Sequence, residues 1–243
     1  MPFNKSFDLV VSLGGNCAAA HQLKYKNFRT KSYPFDWTYF TSDEAVYKLI
    51  TGFKENFKNY ALKKNFKELP VNPSHPDRIQ YKDNYGEIIW ANHFSYNKNK
   101  NSDYEQVKEK LDRRFKRLVD SIKEAKRILF IFSVSFKISP DAFLKLIDTL
   151  YTIYPDKHFE IKVLSFDASK NSVFKNKDVE IFYYRRLINN QDFDTTNKEW
   201  DFLNHINKYQ RFINGTKKNI LRHIIDFIPK KSLKKRLKQK YHI

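Results

Sequence analysis

The sequence predicts an α/β fold, a single compact domain with a mostly parallel sheet flanked by helices, followed by a basic amphipathic C-terminal helical tail. Two observations carry this prediction. Short runs rich in β-branched and aromatic residues alternate with helical stretches of ten or more residues, the pattern of βαβ units whose sheet is covered on both faces. The 243 residues are also 41% hydrophobic and 16% aromatic, enough to bury a substantial core. We assign residues 1–216 to the α/β domain and 217–243 to the tail.

Each element follows from local pattern. Asp8 to Leu13 (DLVVSL) reads as a strand, Gly14-Gly15 as a tight turn, and Asn16 as the N-cap of a helix that starts Cys17-Ala18-Ala19-Ala20. Asp43 to Asn65 reads as helix, Pro70, Pro73 and Pro76 mark an extended loop, and Glu87 to Ala91 is a strand running into Asn92-His93-Phe94. Tyr104 to Lys126 carries Val107, Leu111, Phe115, Leu118, Val119 and Ile122 on one stripe, the mark of a surface helix with a solvated opposite face. Strand Arg127–Phe132, helix Pro140–Tyr154, strand Glu160–Phe166 and strand Val179–Tyr184 follow, then a helix from about Lys198 to Phe212. Ligands of parallel sheets bind beyond the carboxyl ends of the strands. Those ends are Ser12 to Cys17, His93, Ser133 to Ser135, Asp167 and Arg185-Arg186, which one parallel sheet would bring to a single rim.

Charge and cysteine content narrow the classes. A lone cysteine, Cys17, excludes an intrachain disulfide, and the N-terminal residues lack the apolar run of a secretory signal, so a cytoplasmic address is expected. The densest apolar stretch, Ile128 to Phe136, is far short of the roughly 20 residues of a membrane span. The 46 basic residues against 27 acidic give +19, which calls for an acidic partner. Residues 217–243 hold ten Lys or Arg against Asp226, so +9 of the excess sits there. Ile220, Leu221, Ile224, Ile225 and Ile228, then Leu233, Leu237 and Tyr241, form an apolar stripe flanked by lysines over residues 220–240. Such a helix can lie on an anionic membrane surface, here the inner face of the cytoplasmic membrane, or dock on its own domain.

Cys17 is the sharpest candidate for chemistry. A thiol in the first turn of a helix meets the positive end of the helix dipole, and the glycine turn before it lets backbone amides approach an oxyanion or a phosphate. Gly14, Gly15, Asn16 and Ser133 are the corresponding oxyanion- or substrate-binding candidates, with Arg185 and Arg186 for an anionic group. A lone cysteine beside three alanines is equally read as a small buried hydrophobe. A thiolate needs a base, and among seven histidines His93, at a strand end, is the first choice, with His21 as its rival. Asp36, Asn92 or Asp167 could orient that base. No cofactor or metal is expected: one cysteine and scattered histidines give no ligand spacing, and Gly14-Gly15 is no dinucleotide fingerprint.

Ser12-Leu13-Gly14-Gly15-Asn16-Cys17, Ala20, Leu23, Phe28-Arg29 and Ser32-Tyr33-Pro34-Phe35-Asp36-Trp37 resemble the N-terminal signature of a bacterial family of papain-like cysteine peptidases. The likeness extends more loosely through Tyr85-Gly86, His93-Phe94, Arg113-Arg114-Phe115 and Ile128-Leu129-Phe130. It implies Cys17 as nucleophile and His93 as its base. Papain-like enzymes hold the cysteine at a helix start and the histidine on an antiparallel sheet, whereas the chain reads as a parallel sheet with Cys17 at a βα turn. Gly15-Asn16-Cys17 also resembles the nucleophile turn of esterases of the Gly-Asp-Ser type, and the tail resembles the basic ends of glycosyltransferases from surface-polysaccharide loci.

Three functions follow as expectations. The first is a cysteine-nucleophile hydrolase or acyltransferase acting on a peptide, acyl or glycan substrate. The second is a transferase in surface-polysaccharide assembly that binds a nucleotide-sugar or lipid-linked glycan, the nucleotide-sugar phosphate lying at the Gly14–Cys17 turn and Arg185-Arg186 with Cys17 a bystander. The third is a non-enzymatic membrane-surface or nucleic-acid-binding module, with nucleic acid ranked last because no binding motif accompanies the lysines.

Overall fold

The structure, a computed structural model, describes residues 6–71, 73, 76–95, 103–168, 171–185 and 198–206. Strands β1 (Leu9–Ser12), β6 (Arg127–Val134), β7 (His158–Ala168) and β9 (Val179–Arg185) run parallel in that order across a five-stranded sheet. Strand β8 (Ser172–Lys175) closes the far edge as an antiparallel hairpin with β9. The predicted class, an α/β domain with a mostly parallel sheet, is therefore the observed one.

Strand β6 shows why the sheet needs layers on both sides. Ile128, Phe130, Phe132 and Val134 point into one core, and Leu129 and Ile131 into the other, so the run ILFIFSV is buried throughout. Helix α1 (Cys17–Tyr25) covers the second face with Ala18, Ala19 and Leu23. Helices α2 (Glu44–Lys54), α3 (Tyr104–Glu124) and α4 (Pro140–Ile153) contribute to the first. The α3 stripe is buried as its spacing predicts, and Ser139 caps α4 by accepting from the Asp141 N–H at 3.3 Å.

A second sheet departs from the single-sheet expectation. Strands β2 (Thr38–Phe40), β5 (Ile88–Ser95), β4 (Arg78–Asp83) and β3 (Phe66–Glu68) form a four-stranded antiparallel sheet in that order. Its partners β3 (FKE) and β4 (RIQYKD) are too charged to announce themselves as strands, and β2 is three residues long. The long helix expected over 43–65 also stops early, at Lys54. Asn56, Phe57 and Ala61 take positive φ there, and Phe57 folds back onto Phe53 and Tyr60 with ring centroids 5.0 and 5.3 Å apart. That tertiary contact outweighs helix propensity. Lys198–His205 forms a 3₁₀ turn, while the rest of the predicted helix and the tail from 217 lie outside the described residues.

Candidate functional site

The turn after β1 is fastened to both sheets. Past the end of β1, Leu13 N–H donates to Ile131 C=O at 3.0 Å and Ser133 N–H donates to Gly14 C=O at 3.2 Å, which extends the pairing with β6. Phe40 N–H of β2 donates to Gly15 C=O at 3.0 Å. Both glycines sit at φ +96°, the left-handed region that side chains avoid. Space forbids a side chain as well: a Cβ on Gly14 would lie 2.6 Å from Thr38 Oγ1, and one on Gly15 would lie 2.7 Å from Val134 Cγ1 and inside the van der Waals envelope of Ser133 O. The chain then enters α1 through Asn16, extended at φ −159°, whose side chain accepts from Ala18 N–H at 2.9 Å and donates to Ser135 Oγ at 3.3 Å.

This geometry makes Cys17 the first residue of a capped helix at the carboxyl-end rim of the parallel sheet. Its thiol is 3% exposed and donates to the Tyr39 hydroxyl oxygen at 3.4 Å. The helix dipole favours a sulfur anion there, burial opposes it, and the hydroxyl can turn to donate once the sulfur is charged.

His93 lies elsewhere than expected. It belongs to β5 of the antiparallel sheet, not to the rim of the parallel one. Ile79 pairs with Phe94 and Tyr81 with Trp90, so Gln80 alone faces Ala91, Asn92 and His93, a bulge in the strand that carries the histidine. Its ring stands edge-on to Trp90 at 5.2 Å and it is 5% exposed. Burial, then the charges of Arg114 and Lys110, lower its pKa from the ordinary 6.5 to about 3, so the imidazole is neutral at pH 7. Among the described residues, its Nε2 has no hydrogen-bond partner. The connection to Cys17 runs through β2, because Tyr39, the partner of the thiol, pairs with Ile89 on β5.

Asp36 is engaged in a structural cluster. It ends a capping box on the 3₁₀ turn Pro34–Trp37, where Oδ2 accepts from Tyr33 N–H at 2.9 Å and from Arg29 Nη2 and Nε at 2.6 and 3.0 Å. Arg29 also donates to Ser32 Oγ at 2.9 Å. Burial raises the Asp36 pKa, and Arg29 acts against that rise. None of these bonds hands the carboxylate to an imidazole.

The remaining candidates divide by position. Ser133 is fully buried beneath the glycine turn, and its Oγ has no hydrogen-bond partner among the described residues. Asp167 lies near the end of β7 and Arg185 at the end of β9, so their backbones share the rim with Gly14–Cys17, but their side chains fall outside the described residues, as do Arg186 and the side chain of Asn92. Sequence reasoning missed Tyr39, Arg114 and Lys110. Tyr39 carried no signal beyond its nearness to the SYPFDW motif. Arg114 entered only through the Arg113-Arg114-Phe115 likeness, with no role, and Lys110 was not singled out.

Among known families, one model matches residues 8–153, and its description is putative papain-like cysteine peptidase (DUF1796). The chain belongs to this family. The match spans β1 through α4 and so includes the glycine turn, Cys17, Tyr39 and His93. Comparison with curated proteins and with solved structures gave no match. Among the described residues, no helix is long and apolar enough to cross a membrane.

Proposed function

We propose that the protein is a cysteine-nucleophile hydrolase or acyltransferase in which Cys17 forms a thioester with the acyl group of its substrate. The observation that carries this reading is the seat of Cys17: the first residue of an Asn16-capped helix, behind a double-glycine turn that no other residue could adopt, at the rim where parallel sheets bind ligands. Family membership supports it. So does the presence in one fold of a helix-start cysteine and of a histidine on an antiparallel sheet, the two elements that papain-like enzymes use.

In the reaction, Sγ attacks the carbonyl carbon while His93 takes the thiol proton, a transfer that requires the imidazole to gain basicity over its buried state, in which its pKa is about 3. The positive end of α1 lies beside the oxyanion that forms. Collapse breaks the bond to the leaving group, which departs with the proton from His93, and water or a second acceptor then cleaves the thioester. We further propose that residues 220–240 hold the enzyme against an anionic membrane surface, on the strength of their apolar stripe and lysines.

The test is labelling with an electrophilic thiol probe at neutral pH. Native protein should label faster than denatured protein, Cys17→Ala should not label, and His93→Gln should label slowly. Equal rates for native and denatured protein overturn the reading.

A further inference from the structure

The strongest unexplained feature is a pair of half-buried cations, Arg114 and Lys110, whose charges act on a buried imidazole with no hydrogen-bond partner for its Nε2 among the described residues. Helix α3 packs on β5 through two aromatic contacts, Phe94 with Tyr104 at 6.2 Å and Trp90 with Phe115 at 6.3 Å. His93 lies between Trp90 and Phe94 on the strand, and Lys110 and Arg114, one helical turn apart, lie between Tyr104 and Phe115 on the helix. The charges acting on His93 are those of Arg114 and Lys110.

Asp36 acts on Arg114 and Asp103 on Lys110, offsetting part of their charge, but no carboxylate among the described residues pairs directly with either cation and the neighbouring charges are paired elsewhere. Arg113 pairs with Glu109, Arg78 with Asp77 at 3.7 Å, and Arg29 with Asp36. Arg117 donates to Ser32 C=O at 2.7 Å. Asp103 lies near Lys110, yet its carboxylate is taken by Ser95 N–H and Oγ at 2.9 and 3.0 Å. Among the described residues, Arg114 and Lys110 have neither an ion pair nor a hydrogen bond, although both are half-buried. Two partly desolvated cations and a buried ring nitrogen without a partner are costly unless something anionic completes them.

We propose that Arg114, Lys110 and Nε2 of His93 form a phosphate-binding site, and that the substrate of this protein carries a phosphate group. An Arg and a Lys match the charge of a dianion, Arg supplies a forked donor, and the imidazole in its Nε2–H tautomer donates a third hydrogen bond. The inference deepens the reading of the protein as an acyl-transferring enzyme by naming a substrate class. It also gives the histidine a trigger. Neutralising the two cations that oppose its protonation makes His93 a stronger base when, and only when, a phosphorylated substrate is in place.

The experiment follows the His93 ring by NMR in the full chain carrying Cys17→Ala, with the signal assigned by its loss in His93→Gln. Because the thiol is absent, the result is independent of whether Cys17 is a nucleophile, and the labelling test can fail without touching this one. Inorganic phosphate should shift the His93 signal saturably and raise its titration midpoint, and sodium chloride at equal ionic strength should do neither. Glycerol 3-phosphate should act as well as phosphate, since a substrate must present its phosphate on a carbon skeleton, and acetate should act more weakly. Arg114→Gln should weaken half-saturation about tenfold or more. Lys110→Gln, a half-exposed change that the fold tolerates, should weaken it in the same direction and serves if the Arg114 variant does not fold. No shift beyond the chloride control, a shift that both variants leave intact, a preference for acetate, or exclusion of glycerol 3-phosphate each overturns the proposal.

Discussion

The thiol of Cys17 donates to the hydroxyl of Tyr39 at 3.4 Å, joining the head of α1 to the short strand β2. A hydroxyl in that position reorients to donate when the sulfur ionises, and hydrogen bonds to a charged acceptor are the stronger kind. Tyr39→Phe should therefore slow probe labelling of Cys17 at neutral pH about tenfold and move the labelling midpoint upward by about one pH unit. Labelling rate against pH measures both. An unchanged profile would show the hydroxyl to be a packing neighbour only.

Gly15→Ala should be severely destabilising. The substitution forces a side chain into the left-handed region and drives its Cβ into Ser133 O and Val134 Cγ1, neither of which can retreat from the end of β6. Backbone strain and overpacking together amount to about 3 kcal/mol, read as a lower denaturation midpoint in urea. The same change displaces Cys17, so activity should fall further than stability alone explains.

Arg29→Met should cost about 3–5 kcal/mol at neutral pH, because it leaves the Asp36 carboxylate buried without its cation. The sign with pH is definite. A carboxyl whose pKa is raised in the native state contributes most below its ordinary 3.8 and loses that contribution as pH rises through the native value. The penalty of Arg29→Met therefore shrinks on acidification. Adding Asp36→Asn should recover part of the loss, and urea melts of the single and double variants at two pH values decide it.

His93 carries the opposite linkage. Its native pKa of about 3 lies below the ordinary 6.5, so the unfolded chain binds a proton there that the native chain refuses. Its contribution is intact above pH 6.5 and is lost progressively as pH falls from there toward 3. Between pH 7 and 5 this amounts to about 2 kcal/mol, which His93→Gln should remove from the pH dependence. Urea denaturation of the two proteins at both pH values measures the difference, and parallel profiles would count against a buried neutral imidazole.

What the sequence disclosed depended on how locally each feature is encoded. The strand, glycine turn, cap and helix of residues 8–25 are set by neighbouring residues and were legible, as were α3 and α4 from the period of their apolar positions. Strand β5 was visible as EIIWA, but its direction was not, because hydrophobic runs look alike in parallel and antiparallel sheets and the partner RIQYKD is too polar to be recognised. Placing His93 on the parallel rim followed from that ambiguity. Arg114 illustrates a different limit: on a helical wheel it borders the apolar stripe beside Val107, Leu111 and Leu118, but the wheel does not say which element that stripe packs on, and so not that the Arg114 charge acts on His93.

Gly14 and Gly15 give their carbonyls to β6 and to β2 respectively, so the segment ahead of Cys17 is anchored to two independent frameworks at once. A sulfur tethered in this way has little latitude to travel. Any group that reacts with this thiol must therefore come to the sulfur, because the backbone ahead of it is held from both sides.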